Sequence, residues 1–402
     1  MKPLQILILT IIFTSLMGCD KENTDLSNGG SRSYSKISGY AQKGPFINGA
    51  SVTLSELDEN LVPTGKTFSA QILDNRGTFE LRNATLASPY VELKVEGYYF
   101  DEVKNSLSTA PLILYALADV SEHASINVNV LTHLEKSRVD YLIAKGKSFK
   151  DAKKQAEQEI LNIFEINKDD MVAAELLDLS KNGDDHAILL AVSAILQGHL
   201  SVGDLSELLA NISTDIREDG KLDSRTLGSI LMNNARTIDI ATVRSNLEKR
   251  YETLGIQANV ADGEAFIKNF INNAPFEFTS YIQYPDSGKY GINILSKNEF
   301  EYTAGNYSMR AILPAGTYLS VKISGLNWFF PAFQENTGWE YSDLNSTDNS
   351  RVFTATRTGE IDFQIMLQSY QDSSWSNTTS IYVYENRAAT PTWSKTIEVK
   401  AK

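Results

Sequence analysis

None of the ten prolines of this chain falls between Pro111 and Pro275, and that gap constrains the fold more than any other feature. Proline clashes with the preceding helical turn and removes one of its hydrogen bonds, so helices run freely only where it is missing. The stretch inside the gap carries the matching pattern. Ser148, with Asp151 three residues on, reads as a helix start. Phe149, Ala152, Ala156, Ile160 and Phe164 then recur at three- and four-residue spacing, which makes one apolar stripe. Ile188 to Leu196 is apolar all round and predicts a central, buried helix. Ser201 with Asp204 opens another, carrying Leu205, Leu208, Leu209 and Ile212. Val243, Leu247, Tyr251 and Leu254 mark a further helix that stops at Gly255, and Phe266, Ile267, Phe270 and Ile271 belong to the last. An all-α helical bundle of about five to seven helices is expected over residues 125–275.

Both flanks read as β. Gly44 to Leu54 opens the first β region, and Asp74-Asn75-Arg76-Gly77 is a turn leading into the strand Thr78 to Leu81. Val91 to Glu96 alternates apolar and charged residues, one face for a core and one for water, and Gly97-Tyr98 closes it. Beyond Pro275 the composition shifts: all four tryptophans lie there, with more than half of the other aromatic residues. Leu319 to Ile323, Ile361 to Ile365 and Ile381 to Tyr384 alternate, and turns at Pro285 to Gly288, Pro314 to Gly316 and Arg357 to Gly359 separate them. A C-terminal Ig-like β-sandwich of about seven or eight strands fits residues 276–402.

The amino terminus concerns location. Lys2 followed by the apolar run Leu4 to Leu16 has signal-peptide form, and is shorter than the about 20 apolar residues of a membrane-spanning helix. Leu16-Met17-Gly18-Cys19 resembles the lipobox of bacterial lipoproteins, which implies a signal peptide over 1–18 and a lipid on Cys19. An ordinary signal peptide followed by a chance cysteine is the alternative. Residues 19–36 are polar and are expected to form the lipidated end and a flexible tether. Asp20-Lys21-Glu22 resembles the export signal of Bacteroidota surface lipoproteins. In enterobacteria an Asp at this place instead resembles an inner-membrane retention signal. The outer membrane is expected, with the cell surface favoured and the periplasm-facing leaflet left open. Cys19 is the only cysteine, so lipidation leaves no thiol for a disulfide, a nucleophile or a thiolate metal site. The formal charge is −13, and −14 without Met1 to Gly18 and its single lysine. That argues against nucleic acid and against electrostatic adsorption to anionic lipid. Acyl chains, at about 0.8 kcal/mol per buried CH₂, would supply the membrane attachment.

The β region over 37–124 resembles the carboxypeptidase-regulatory-like, or transthyretin-like, β-sandwich. The likeness rests on Gly49-Ala50-Ser51-Val52-Thr53-Leu54, on Asp74 to Leu81, and on Tyr90 to Tyr98. It implies a structural module without catalytic residues. With Asn129-Val130-Leu131-Thr132 and Asn246 to Tyr251, the first two thirds of the chain resemble an uncharacterised Bacteroidota lipoprotein arrangement. No activity comes with that likeness.

For catalysis the sequence offers little. His123, His133, His186 and His199 form no zinc spacing, and His186 and His199 read as capping or packed residues. There is no Gly-x-Ser-x-Gly elbow, P-loop or dinucleotide fingerprint, and no cofactor is expected. A carboxylate pair for hydrolysis is set by the fold and not by spacing, so an uncatalogued hydrolase stays as an alternative. Asp215, Asp219 and Asp223 occupy EF-hand positions around Gly220, but Arg217 fills a ligand position and Thr226 stands where a bidentate Glu belongs. Asp178 to Asp185 is a second acidic loop, with Leu189 at its twelfth position. The functional lead is aromatic. Trp328, Trp339, Tyr341 and Trp375 sit in or beside polar loops, where exposed rings stack on the apolar faces of sugars. A non-enzymatic, glycan-binding surface lipoprotein is expected. The alternative is a structural or protein-partner-binding envelope lipoprotein whose aromatic residues are core.

Overall fold

The computed structural model describes residues 24–26 and 31–279, residues 387–392, and the C-terminal strands given below. Cys19, Trp328 and Trp375 lie outside the described residues. The first part holds nine strands: β1 (Thr24–Leu26), β2 (Arg32–Tyr40), β3 (Ser51–Leu57), β4 (Pro63–Gln71), β5 (Thr78–Leu86), β6 (Tyr90–Gly97), β7 (Phe100–Asp101), β8 (Ser106–Leu107) and β9 (Leu112–Asp119). They pair antiparallel in the orders β1-β2-β5 and β4-β3-β6-β9, with β7-β8 as a separate hairpin. The turn before β5 forms as its residues dictate. Asp74 Oδ1 accepts from the Arg76 and Thr78 amides, and Gly77 takes φ +79. A Cβ on Gly77 would stand 2.4 Å from the Ala41 carbonyl oxygen, so both the angle and the space require glycine.

Two expectations need correction here. The tether was expected to run to Lys36, yet Arg32 to Lys36 is strand, and Tyr34 is buried. The cause is a slip in the face pattern. Tyr34 and Ile37 are both buried although three residues apart, and the facing strand breaks its alternation at Asn83, a non-glycine residue at φ +55. That spacing hides the strand from a period-two reading. The charged face of β6, expected in water, is half-buried. Glu92 pairs there with Lys136 of the first helix at 3.1 Å.

Seven α-helices follow: α1 (Val130–Ala144), α2 (Phe149–Ile163), α3 (Asp184–Gln197), α4 (Val202–Asp215), α5 (Arg225–Thr237), α6 (Ile240–Thr253) and α7 (Glu264–Asn273). Ser148 and Ser201 cap α2 and α4 as read, each accepting from the amide of the acidic residue three positions on. Asn129 caps α1, and its Nδ2 also donates to the Ala174 carbonyl at 2.7 Å. α3 is buried from Ala187 to Gln197, as its uniform apolarity predicts. Strands and helices share one continuous core that runs from Ile37 and Leu93 through Leu134 and Leu190 to Phe270. Backbone bonds join them as well: Ser38 and Tyr40 of β2 bond the segment just before α1 through Ser38 N to Ala124 O, Ile126 N to Ser38 O and Val128 N to Tyr40 O. Lys43, after β2, and Glu102, between β7 and β8, both fully buried, form an ion pair within the β part, and Ser193 of α3 ties the helices to it by donating to Glu102 Oε1 at 3.0 Å.

Beyond α7 the chain stays docked: Thr279 N donates to Asn233 Oδ1 of α5 at 2.8 Å. Ten strands are described after it: β10 (Tyr281–Gln283), β11 (Ile292–Ile294), β12 (Thr303–Leu313), β13 (Tyr318–Ser324), β14 (Phe329–Phe330), β15 (Trp339–Tyr341), β16 (Ser350–Ala355), β17 (Gly359–Leu367), β18 (Ser376–Glu385) and β19 (Trp393–Lys400). β10, β12, β17 and β14 form one sheet with β11 on β12, and β15-β16-β13-β18-β19 forms another. The three alternating runs of the sequence fall inside β13, β17 and β18. The surplus over the expected number comes from strands of two and three residues, too short for alternation to register. The chain is thus a mixed fold of antiparallel sheets and helices.

Candidate functional site

A cleft of about 430 Å³ opens where the end of β9, the loop after it, the start of α2 and the segment 169–175 meet. At its base is Lys153. On α2 it stands beside Ala152 and one turn before Ala156, on the stripe that faces the core, and is buried with them. A lone ammonium cannot stay there, because an unpaired buried charge loses its hydration with no return. Its Nζ donates to Glu135 Oε2 of α1 and to Glu175 Oε2, the latter at 2.8 Å. Burial pulls the Lys153 ammonium down, but the two carboxylates together outweigh it and hold it above the usual lysine range. Burial pushes Glu135 up, with Lys153 acting against it.

Glu157, one turn further along α2, lines the same cleft half-buried. Burial, then the Glu135 carboxylate, push its carboxyl up to about 8, with Glu175 and Asp185 adding and Lys153 opposing. The sign for stability follows. Below the ordinary 4.5 of a glutamate both folded and unfolded forms are protonated, and nothing is lost. From there to about 8 the unfolded chain ionises while the folded one holds its proton, so stability falls as pH rises. Glu157→Gln should therefore match wild type in urea unfolding near pH 4 and exceed it near pH 8. Parallel pH profiles for the two proteins would remove Glu157 from the charge balance of this cluster.

Tyr90 and Phe149, ring centroids 4.9 Å apart, form the aromatic part of the lining. Lys150, Lys154 and His123 line it with exposed side chains. A smaller cavity of about 210 Å³ lies between α4 and α5, lined by Leu208, Leu227 and Ile230 with His199 beside them.

The residues singled out in the sequence are scattered. Trp339 and Tyr341 stand two residues apart on β15, opposite Ala355 and Phe353 of β16, at the edge of their sheet. Trp328 and Trp375 lie outside the described residues. In the EF-hand-like loop, Asp215 Oδ2 accepts from the Asp223 and Ser224 amides, and Asp219 Oδ1 from the Lys221 amide. Arg138 holds the loop by donating to the carbonyls of Arg217 and Glu218. Among the described residues no three His, Cys, Asp or Glu side chains converge as metal ligands do. In the second acidic loop Asp178 Oδ1 accepts from Gln42 Nε2 and from Ser180, and Asp185 pairs with Lys168. His186 Nδ1 accepts from the Asp178 amide at 3.1 Å, the packed role its position suggested.

Sequence reading passed over Glu135, Lys153, Glu157 and Glu175. A signal was there: Lys153 sits three residues before Ala156 on an otherwise apolar stripe, and a charge so placed needs a partner. No protein-family model matches the chain, and no curated protein matches it.

Proposed function

We propose that this chain is a non-enzymatic lipoprotein of the outer membrane, held by acyl chains on Cys19 and exposed at the cell surface, that binds a small polar ligand in the cleft. The cleft carries the reading. Its volume of about 430 Å³ is that of a small-molecule site, and aromatic and charged side chains line it together. Its base is fixed by the Lys153 ion pairs, which favours a preformed binding site. The finer architecture belongs to the same proposal: a transthyretin-like β-sandwich that takes in all of β2 and so covers 32–124, an all-α helical bundle over 125–275 and an Ig-like β-sandwich over 276–402. Antiparallel pairing throughout the first four-stranded sheet and both C-terminal sheets supports it.

A second reading has its own observation. Trp339 and Tyr341 on an edge strand support glycan capture by the C-terminal region, together with Trp328 and Trp375. One experiment separates the two. The full chain in detergent is titrated with a panel of polysaccharides and of small polar metabolites, beside Lys150→Ala, Lys154→Ala and Trp339→Ala. Loss of small-ligand affinity of about tenfold in either lysine variant alone is the expected result. Polysaccharide binding lost only in Trp339→Ala would move the site to the C-terminal sheet.

A further inference from the structure

Around Lys153 the charges do not balance. Glu135, Glu157 and Glu175 face one ammonium group, and its hydrogen bonds reach only Glu135 and Glu175. Glu157 lines the cleft with no hydrogen bond or ion pair among the described residues. A half-buried carboxyl so placed is satisfied by a proton or by an arriving cation. The lack of three converging ligands among the described residues disfavours a metal ion and leaves an organic cation.

The rest of the lining narrows the class. Tyr90 and Phe149 place two packed aromatic rings in the lining, and aromatic rings attract an ammonium group. Lys150 and Lys154, exposed and without ion pairs among the described residues, repel a bare cation but attract a molecule that also has an anionic end. Lys154 and Glu157 are three residues apart on α2, a spacing that puts their Cβ atoms about 5–6 Å apart on one face. A ligand that meets both must carry its opposite charges close together. We propose that the cleft binds a small zwitterion of the amino-acid or short-peptide class, its ammonium group against Glu157 and the aromatic pair, its carboxylate against Lys150 and Lys154. This assignment rests on the cleft being the ligand site. Because the groups facing Glu157 are Glu135 from α1, Lys153 of its own helix, Glu175 and Asp185 of α3, the ligand supplies the missing positive charge. Glu157 then gives its proton to the buffer as the ammonium group binds.

The test is calorimetric titration of the full chain in detergent at pH 7, in phosphate and in Tris. The probes are glycine, leucine, dialanine, N-acetyl-leucine, leucine methyl ester and a set of neutral sugars. Leucine and dialanine should bind saturably, with enthalpies that differ between the buffers by the proton released. N-acetylation should abolish binding, and esterification should weaken it about tenfold. Glu157→Gln, which removes the charge at constant shape, should lose about tenfold in affinity and all of the buffer dependence. Lys154→Ala should weaken leucine binding and leave the ester unaffected, and its exposed position keeps the fold intact. Leucine binding that Glu157→Gln leaves unchanged overturns the assignment. Sugars that bind where amino acids do not, with loss in Lys150→Ala, overturn it while the cleft remains a ligand site. If no probe binds, the cleft and the assignment fall together.

Discussion

Lys43→Met is expected to destabilise the protein by about 3–5 kcal/mol in urea unfolding at pH 7, because it strands a buried carboxylate. Lys43 and Glu102 have no exposed side-chain surface. Glu102 Oε1 accepts from Lys43 and from Ser193, and its other oxygen has no hydrogen-bond partner among the described residues. Burial pushes the Glu102 carboxyl up, and Lys43 is the largest influence holding it down. Without the ammonium group, Glu102 must take up a proton or stay charged in an apolar interior. Lys43→Met with Glu102→Leu should recover most of the loss, since well-packed apolar pairs often replace buried ion pairs at little cost. A single variant within about 0.5 kcal/mol of wild type would mean that water reaches the pair.

The second large effect is acid destabilisation through His133. Its ring packs 5.8 Å from that of Tyr115, its Nδ1 has no hydrogen-bond partner among the described residues, and burial, aided by Lys136, lowers its pKa to about 4. A lowered histidine pKa means that the unfolded chain binds a proton that the folded chain refuses. Stability is complete above the ordinary 6.5 and drains as pH falls towards 4, by about 3 kcal/mol in all. His133→Leu should flatten this part of the pH profile in urea unfolding relative to wild type. An unchanged slope between pH 6.5 and 4 would mean that the folded state protonates the ring freely. Glu157 works in the opposite sense, so between them the two groups place maximal stability in mildly acidic solution.

How much of this was legible depends on the range of the interactions. Caps at Ser148 and Ser201, the uniform apolarity of α3 and the Asp74 turn are local, and each formed where its residues placed it. β2 was hidden because its buried residues are three apart across a break in alternation. Short strands such as β14 carry no period at all and exist only through pairing with β17. The cleft joins residues from β6, β9, α2 and the segment 169–175, so no stretch of sequence contains it. Lys153 could have been found as a charge on an apolar stripe. Lys43, in a loop among polar and small residues, gave no such sign, and only the fold brings it to its partner Glu102 in the turn between β7 and β8.

The backbone bonds between β2 and the segment before α1 also govern how the molecule carries tension. A pull on the amino-terminal side enters β2 and is handed through the backbone bonds of Ser38 and Tyr40 to Ala124, Ile126 and Val128. Ile126 is itself part of the cleft wall. If the amino terminus is anchored as proposed, force on that anchor would reach, through these backbone bonds, the wall of the cleft proposed to bind ligand.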